Sequence, residues 1–111
     1  MGSNLSEIDF PDTVTSIGWQ SFAGCSKLEN IQIPDNITSI GTYAFTGCSS
    51  LKQVELGEGI TSIGNNTFER CSNLEEIIYK GSSHTTTASL RAAGITSIGN
   101  AAFSGTKITA E

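Results

Sequence analysis

Apolar residues recur along this chain in two alternating rhythms. In Leu28 to Ile33, Leu51 to Leu56 and Leu74 to Tyr79, the last and third-last positions are apolar and mostly polar residues stand between them. That period-2 pattern predicts a half-buried strand in each. Residues 5–10 end in the same way, on Ile8 and Phe10, and read as a half repeat with a strand of its own. Between the strand segments the rhythm changes. Val14, Ile17, Phe22, Cys25 and Leu28 step by three to five residues. Ile37, Ile40, Phe45, Cys48 and Leu51 do the same, as do Ile60, Ile63, Phe68, Cys71 and Leu74. This spacing is closer to a helical or 3₁₀ rhythm and marks the inward columns of a return arm.

The two rhythms belong to one repeat of 23 residues. Residues 11–33, 34–56 and 57–79 align without gaps, and eight of the 23 columns are identical, including Thr-Ser-Ile-Gly, the Phe, Cys-Ser and the Leu. A period in this range marks a solenoid or similar array. About 17 residues separate successive strands, too many for hairpins, so the strands are expected to stack in parallel with the return arms as crossovers. Gly18, Gly41, Gly64 and Gly99 recur after the second apolar residue of the arm. They predict a bend that requires positive φ or leaves no room for a Cβ. The period breaks once: Ile98-Gly99 follows Ile63-Gly64 by 35 residues, which places a 12-residue insertion within 80–94. There a Thr or Ser cap, Ala88 to Ala93 and then Gly94 predict one or two helical turns. The array resumes over residues 95–111.

At Ile33, Pro34, Ile37 to Gly41, Ala44, Phe45, Cys48, Leu51 and Val54 the repeat resembles the BspA-type leucine-rich repeat of bacterial surface proteins and protists. The resemblance implies an α/β-type leucine-rich repeat solenoid. A parallel β-sheet would line its concave side, with turns and short helical pieces on the convex side. The chain would hold about four 23-residue repeats and one 12-residue insertion. It also implies protein recognition through the strand face, in adhesion or surface attachment, with an extracellular or cell-surface location. Only Asn36 stands where the more familiar leucine-rich repeats carry an Asn ladder, with Thr13 and Gly59 beside it, so no such ladder is expected.

Composition narrows the partners. The 111 residues make one small domain, and the net charge of −5 argues against nucleic acid and anionic membrane surfaces. No apolar run approaches the roughly 20 residues of a membrane span. Cys25, Cys48 and Cys71 share one column without CxxC spacing, which predicts a buried ladder of thiols rather than a metal or redox site. His84, the only histidine, lies in a Ser/Thr-rich stretch and is expected to be a solvated loop residue. No catalytic motif, metal set or cofactor cradle is found, so no enzyme activity and no cofactor is expected.

The outward strand positions are the candidate partner-binding surface: Glu7, Asp9, Asn30, Gln32, Gln53, Glu55, Glu76 and Ile78, the last its one apolar member. Asp12, Asp35 and Glu58 form a second acidic row at the strand exits. Together they suit a basic or polar protein partner; the alternative is that they only keep a sheet face wet. Trp19 and Tyr43 are expected as an aromatic pair on the return arm, or as half-covered packing against the neighbouring coil. The insertion either carries a specific contact or covers an edge of the column. Uncapped terminal coils would allow head-to-tail self-association. Spacer repeats in a longer array, or an intracellular regulatory scaffold, are the alternative functions.

Overall fold

A computed structural model describes residues 8–110. In chain order the elements are β1 (Ser16–Ile17), β2 (Asn30–Gln32), β3 (Ser39–Ile40), β4 (Gln53–Leu56), β5 (Ser62–Ile63), β6 (Glu76–Tyr79), β7 (Ser82–His84), α1 (Thr87–Ala93) and β8 (Ser97–Ile98). β2, β4 and β6 pair in parallel, Ile31 opposite Val54 and Val54 opposite Ile77. The register offset equals the sequence period, so like residues stack. Their inward side chains Ile31, Val54 and Ile77 are buried. The half repeat differs from expectation. Residues 8–10 form no strand, while Ile8 and Phe10 pack on the core, and residues 5–7 lie outside the described segment.

Of the predicted helical or 3₁₀ rhythm, the return arm keeps bonds three residues back but forms no continuous helix. Its Thr-Ser-Ile-Gly segments form two-residue ladders, β1 with β3 and β5 with β8. Single turns follow. In the first arm the amides of Ser21, Ala23 and Cys25 donate three residues back, to Gly18, Gln20 and Phe22. The intervening amides of Gln20, Phe22 and Gly24 donate instead to Thr42, Ala44 and Thr46 of the next coil. The same alternation joins Tyr43, Phe45 and Gly47 to Asn65, Thr67 and Glu69. Three-residue spacing in the sequence therefore comes from isolated turns. A helix would spend every amide within its own coil, and each pair of coils would lose these three bonds between them.

Phe22, Phe45, Phe68 and Phe103 form a continuous stack with centroids 5.4–5.5 Å apart and near-parallel planes. Phe10 meets Phe22 edge-on at 5.8 Å. Offset stacks of this kind contribute about 0.5–1.5 kcal/mol per pair beyond burial. Of the two reasons for the recurring glycine, lack of space is the operative one. A methyl group at Gly64 would sit 2.9 Å from the Ile40 carbonyl oxygen, and one at Gly41 2.9 Å from the Gly18 carbonyl carbon. None of the four glycines of this column has positive φ.

The insertion holds more secondary structure than the predicted helical turns. The helix forms as expected, with the Thr86 hydroxyl accepting from Ser89 N at 3.0 Å and Gly94 closing it at φ 129°. Before it, Lys80 and Gly81 take φ 52° and 80° and turn the chain into a hairpin. β7 thereby pairs antiparallel with β6. Positive φ at both loop positions is the geometry that matches the twist of a two-residue hairpin. The insertion adds Leu90 to the core, and Thr86 bridges to Thr109. His84 is consequently not a solvated loop residue: it is 8% exposed beneath this cover, its Nδ1 2.5 Å from Ser89 Oγ. Its Nε2 has no partner among the described residues. No helix among them is long and apolar enough to cross a membrane.

Candidate functional site

Because strand side chains alternate, burying Ile31, Ile33, Val54, Leu56, Ile77 and Tyr79 turns the intervening residues outward. Registration then aligns those residues across strands. Asn30 stands beside Gln53, and Gln53 beside Glu76; Gln32 stands beside Glu55, and Glu55 beside Ile78. Six of the eight candidate residues thus form two rows of three on one face. Asp9 is exposed near the rows but not on a strand, and it lines grooves with Asn30, Gln32 and Gln53. Glu7 lies outside the described residues.

The rows are cross-linked by their own side chains. Gln53 Nε2 donates to Glu76 Oε1 at 2.7 Å, and Gln32 Nε2 to Glu55 Oε1 at 3.2 Å. Ser83 Oγ, brought by the hairpin, donates to Glu76 Oε2 at 2.6 Å. The bonds from Ser83 and then Gln53 hold the Glu76 carboxyl below its ordinary pKa. At the strand exits Asp35 Oδ1 accepts the Glu58 amide at 2.9 Å. Every donor to these three carboxylates, Glu76, Glu55 and Asp35, is neutral, so their charge remains uncompensated by these bonds. Asp35, Glu55, Glu58 and Asp9 border an open groove of about 560 Å³ at the exits of β2 and β4. Sequence reasoning missed both the Ser83 contact and this groove. The available signal was Lys80-Gly81 ahead of alternating residues, but Lys is an unusual first residue for a turn that prefers Asn, Asp or Gly.

The remaining candidates fall elsewhere. Cys25, Cys48 and Cys71 are buried and form no disulfide with one another. Cys48 Sγ donates to Phe22 O at 3.3 Å and Cys71 Sγ to Phe45 O at 3.1 Å, so these two thiols bond the preceding coil. The neighbouring Cys48 sulfur, with burial, pushes the Cys71 thiol far up, away from the reactive thiolate. Trp19 and Tyr43 do not form the expected pair. Trp19 follows its glycine by one residue and Tyr43 follows by two, which places them in different columns. Trp19 is 68% exposed, whereas Tyr43 is half-buried at φ 61°. Asn36 acts singly, its Nδ2 donating to Val14 O at 2.5 Å across the coil boundary.

A family model described as "BspA type Leucine rich repeat region" matches residues 1–110 in six copies, where residue spacing alone gives about four repeats and a half. Among solved structures, the chain is similar to a leucine rich cell surface protein from Faecalibacterium prausnitzii A2-165, with a TM-score of 0.50 at 24% identity. The alignment covers 94% of this chain and 36% of that one, so this chain spans about a third of that protein's length. The likeness is one of fold. Comparison with curated proteins gives no match.

Proposed function

The chain belongs to the BspA-type leucine-rich repeat family, and on that premise we propose that it is a non-enzymatic protein-interaction module acting in adhesion or surface recognition. The strand face makes the contact. One observation carries the reading: the outward residues of three parallel strands stand in register as two rows of amides and carboxylates, ending on Ile78. Such a face offers a partner fixed donors and acceptors at the coil repeat of about 4.8 Å. Its side chains are already ordered by the bonds from Gln53 to Glu76 and from Gln32 to Glu55, so binding loses less side-chain entropy. The structural neighbour is described as a cell surface protein, which suits the same role.

The same internal bonds favour one competing reading, in which the face satisfies itself and the repeats serve as a spacer. Charge reversal separates the two. Immobilised wild-type chain and a Glu55→Lys/Glu76→Lys variant, matched in circular dichroism, are offered the same cell-surface proteins, and the retained species are compared. Ligands retained by the wild type and lost by the variant support recognition through this face. Ligands that all survive the reversal place binding elsewhere, and the absence of any retained protein supports the spacer.

A further inference from the structure

The backbone bonds that join the return arms all point one way. Three amides of each coil donate to the next at 2.8–3.2 Å, the third boundary running from Asn66, Phe68 and Arg70 to Asn100, Ala102 and Ser104. This polarity leaves two unlike ends. On the fourth coil the equivalent amides, of Ala101, Phe103 and Gly105, have no acceptor among the described residues. On the first coil the equivalent carbonyls, of Trp19, Ser21 and Ala23, have no donor among them. Rows of unpaired backbone groups are ready templates for another chain. The side chains tell the same story. Ile98 is half-buried where Ile17, Ile40 and Ile63 are buried. Ser21 is exposed, although Ala44, Thr67 and Ala102 of its column are buried, and Thr67 Oγ1 reaches Gly41 O of the coil before it. Beside Ser21 a groove of about 420 Å³ is lined by half-buried Ile8, Phe10, Val14 and Phe22. Charge adds a further match. Exposed Glu29, Lys52 and Glu75 follow one another across the coils, Lys52 N bonding Glu29 O and Glu75 N bonding Lys52 O. Exposed Lys107 comes next, its amide on Leu74 O, so signs alternate from Glu29 at one end to Lys107 at the other.

We propose that a second copy of this chain joins these ends, the fourth coil of one copy docking on the first coil of the next. The amides of Ala101, Phe103 and Gly105 then donate to the carbonyls of Trp19, Ser21 and Ala23, as at every internal boundary. Ile17 pairs with Ile40 and Ile63 with Ile98 within the chain. Continuing that register sets Ile98 of one copy beside Ile17 of the next, next to the apolar groove. The same step brings Lys107 beside Glu29, opposite in sign, which favours this pairing over others. Polarity excludes a two-fold contact, since two first coils would offer only acceptors and two fourth coils only donors. The contact is therefore head-to-tail and leaves a free end after each addition, which builds chains or rings rather than a closed dimer. It uses none of the outward strand residues and stands apart from the strand-face reading.

The test is light scattering and sedimentation velocity of the 111-residue chain at rising concentration. The expected result is a mean mass that climbs past that of two chains. Ser21→Arg fills the space of the incoming coil at an exposed position and should remain a monomer, with the circular dichroism and urea midpoint of the wild type. Ser72→Arg, exposed on the third coil, should assemble as the wild type does. Because Ser21→Arg keeps its fourth coil, an excess of it added to wild type should cap growing ends and lower the mean mass. Two surface variants give a reading that does not depend on Ser21. Glu29→Lys and Lys107→Glu should each weaken assembly by roughly three- to tenfold, and mixing the two variants should restore it. A monomer at every concentration, a species that stops at two chains, or a Ser21→Arg chain that assembles as wild type overturns the inference. So does an excess of Ser21→Arg that leaves the wild-type mass unchanged. Weakening by both reversals without recovery on mixing overturns the register.

Discussion

Arg70 is in a conformation that its counterparts leave to glycine. It has φ 65°, and the equivalent turn residues of the other coils, Gly24, Gly47 and Gly105, have φ 75°, 75° and 80°. All belong to the left-handed region, which costs an L side chain about 1–2 kcal/mol. Arg70 is exposed, and its backbone amide already serves the next coil through Ser104 O at 2.8 Å. Replacing it with glycine therefore removes the steric cost and keeps the hydrogen bond. Against that gain stands the greater freedom of glycine in the unfolded chain, about 0.4–1 kcal/mol. The balance predicts that Arg70→Gly stabilises the fold by roughly 0.5–1 kcal/mol, or a few degrees in Tm for a chain of this size. Gly47→Ala is the reverse experiment. A methyl group there would come no closer than 3.9 Å to the backbone of Gly24, so space is not at issue and only φ opposes it. It should destabilise by about 1 kcal/mol. Urea unfolding followed by circular dichroism measures both, since exposed Trp19 is a poor reporter of the core. A destabilised Arg70→Gly, or a neutral Gly47→Ala, would refute the argument that backbone strain dominates at this turn.

Three other outcomes are expected. Phe45→Ala, which removes a fully buried ring lying between Phe22 and Phe68, should cost about 3–5 kcal/mol in urea unfolding. Phe22→Ala, at a half-buried position, should cost clearly less. Gly64→Ala should destabilise by about 1–3 kcal/mol because it meets the Ile40 carbonyl; Gly18→Ala, which meets only the Ser21 hydroxyl at 3.3 Å, should be milder. The depressed Glu76 carboxyl gives stability that is present above the ordinary glutamate value of about 4.3 and is lost as pH falls through the lower folded value. In a pH series of Tm, Glu76→Gln should flatten that acid limb, and an unchanged limb would show that the bonds from Ser83 and Gln53 carry no linkage.

How far the sequence could be read depended on whether a residue's surroundings repeat. Ile31, Val54 and Ile77, or Phe22, Phe45 and Phe68, each meet their own counterparts in the next coil, so spacing alone placed them. Such columns need only the period. Where the surroundings are unique, the pattern was silent. His84 has no counterpart, and its burial depends on a hairpin whose turn begins at an unusual residue, Lys80. The helix after it was legible because Thr86 and Gly94 are local signals that act within a few residues. The return arm was legible only in part, for a different reason. Spacings of three arise equally from a helix and from single turns, and the bonds that distinguish them run from Phe22 to Ala44 and from Phe45 to Thr67, between segments distant in sequence. Glu55 and Glu76 were legible as outward positions but not as hydrogen-bonded ones, since the donors Gln32 and Ser83 depend on register and on the hairpin.

One register fixes both the core and the face, and this limits how either can change. In a strand of period two, a slip of one residue exchanges Val54 with Glu55 and turns a carboxylate into the column beneath Ile31 and Ile77. Burying that charge unpaired would cost far more than the stack could return. The buried column therefore acts as a clamp on the outward rows, and substitutions on the face leave the clamp untouched. On the proposed reading, recognition can vary at Asn30, Gln32, Gln53, Glu55, Glu76 and Ile78 while the repeat that positions them stays fixed. β7 marks where this freedom stops. By pairing antiparallel with β6, it brings Ser83 opposite Ile78 in place of another coil's strand. The rows of the described face accordingly end at Glu76 and Ile78, and a partner that follows them from β2 reaches the hairpin last.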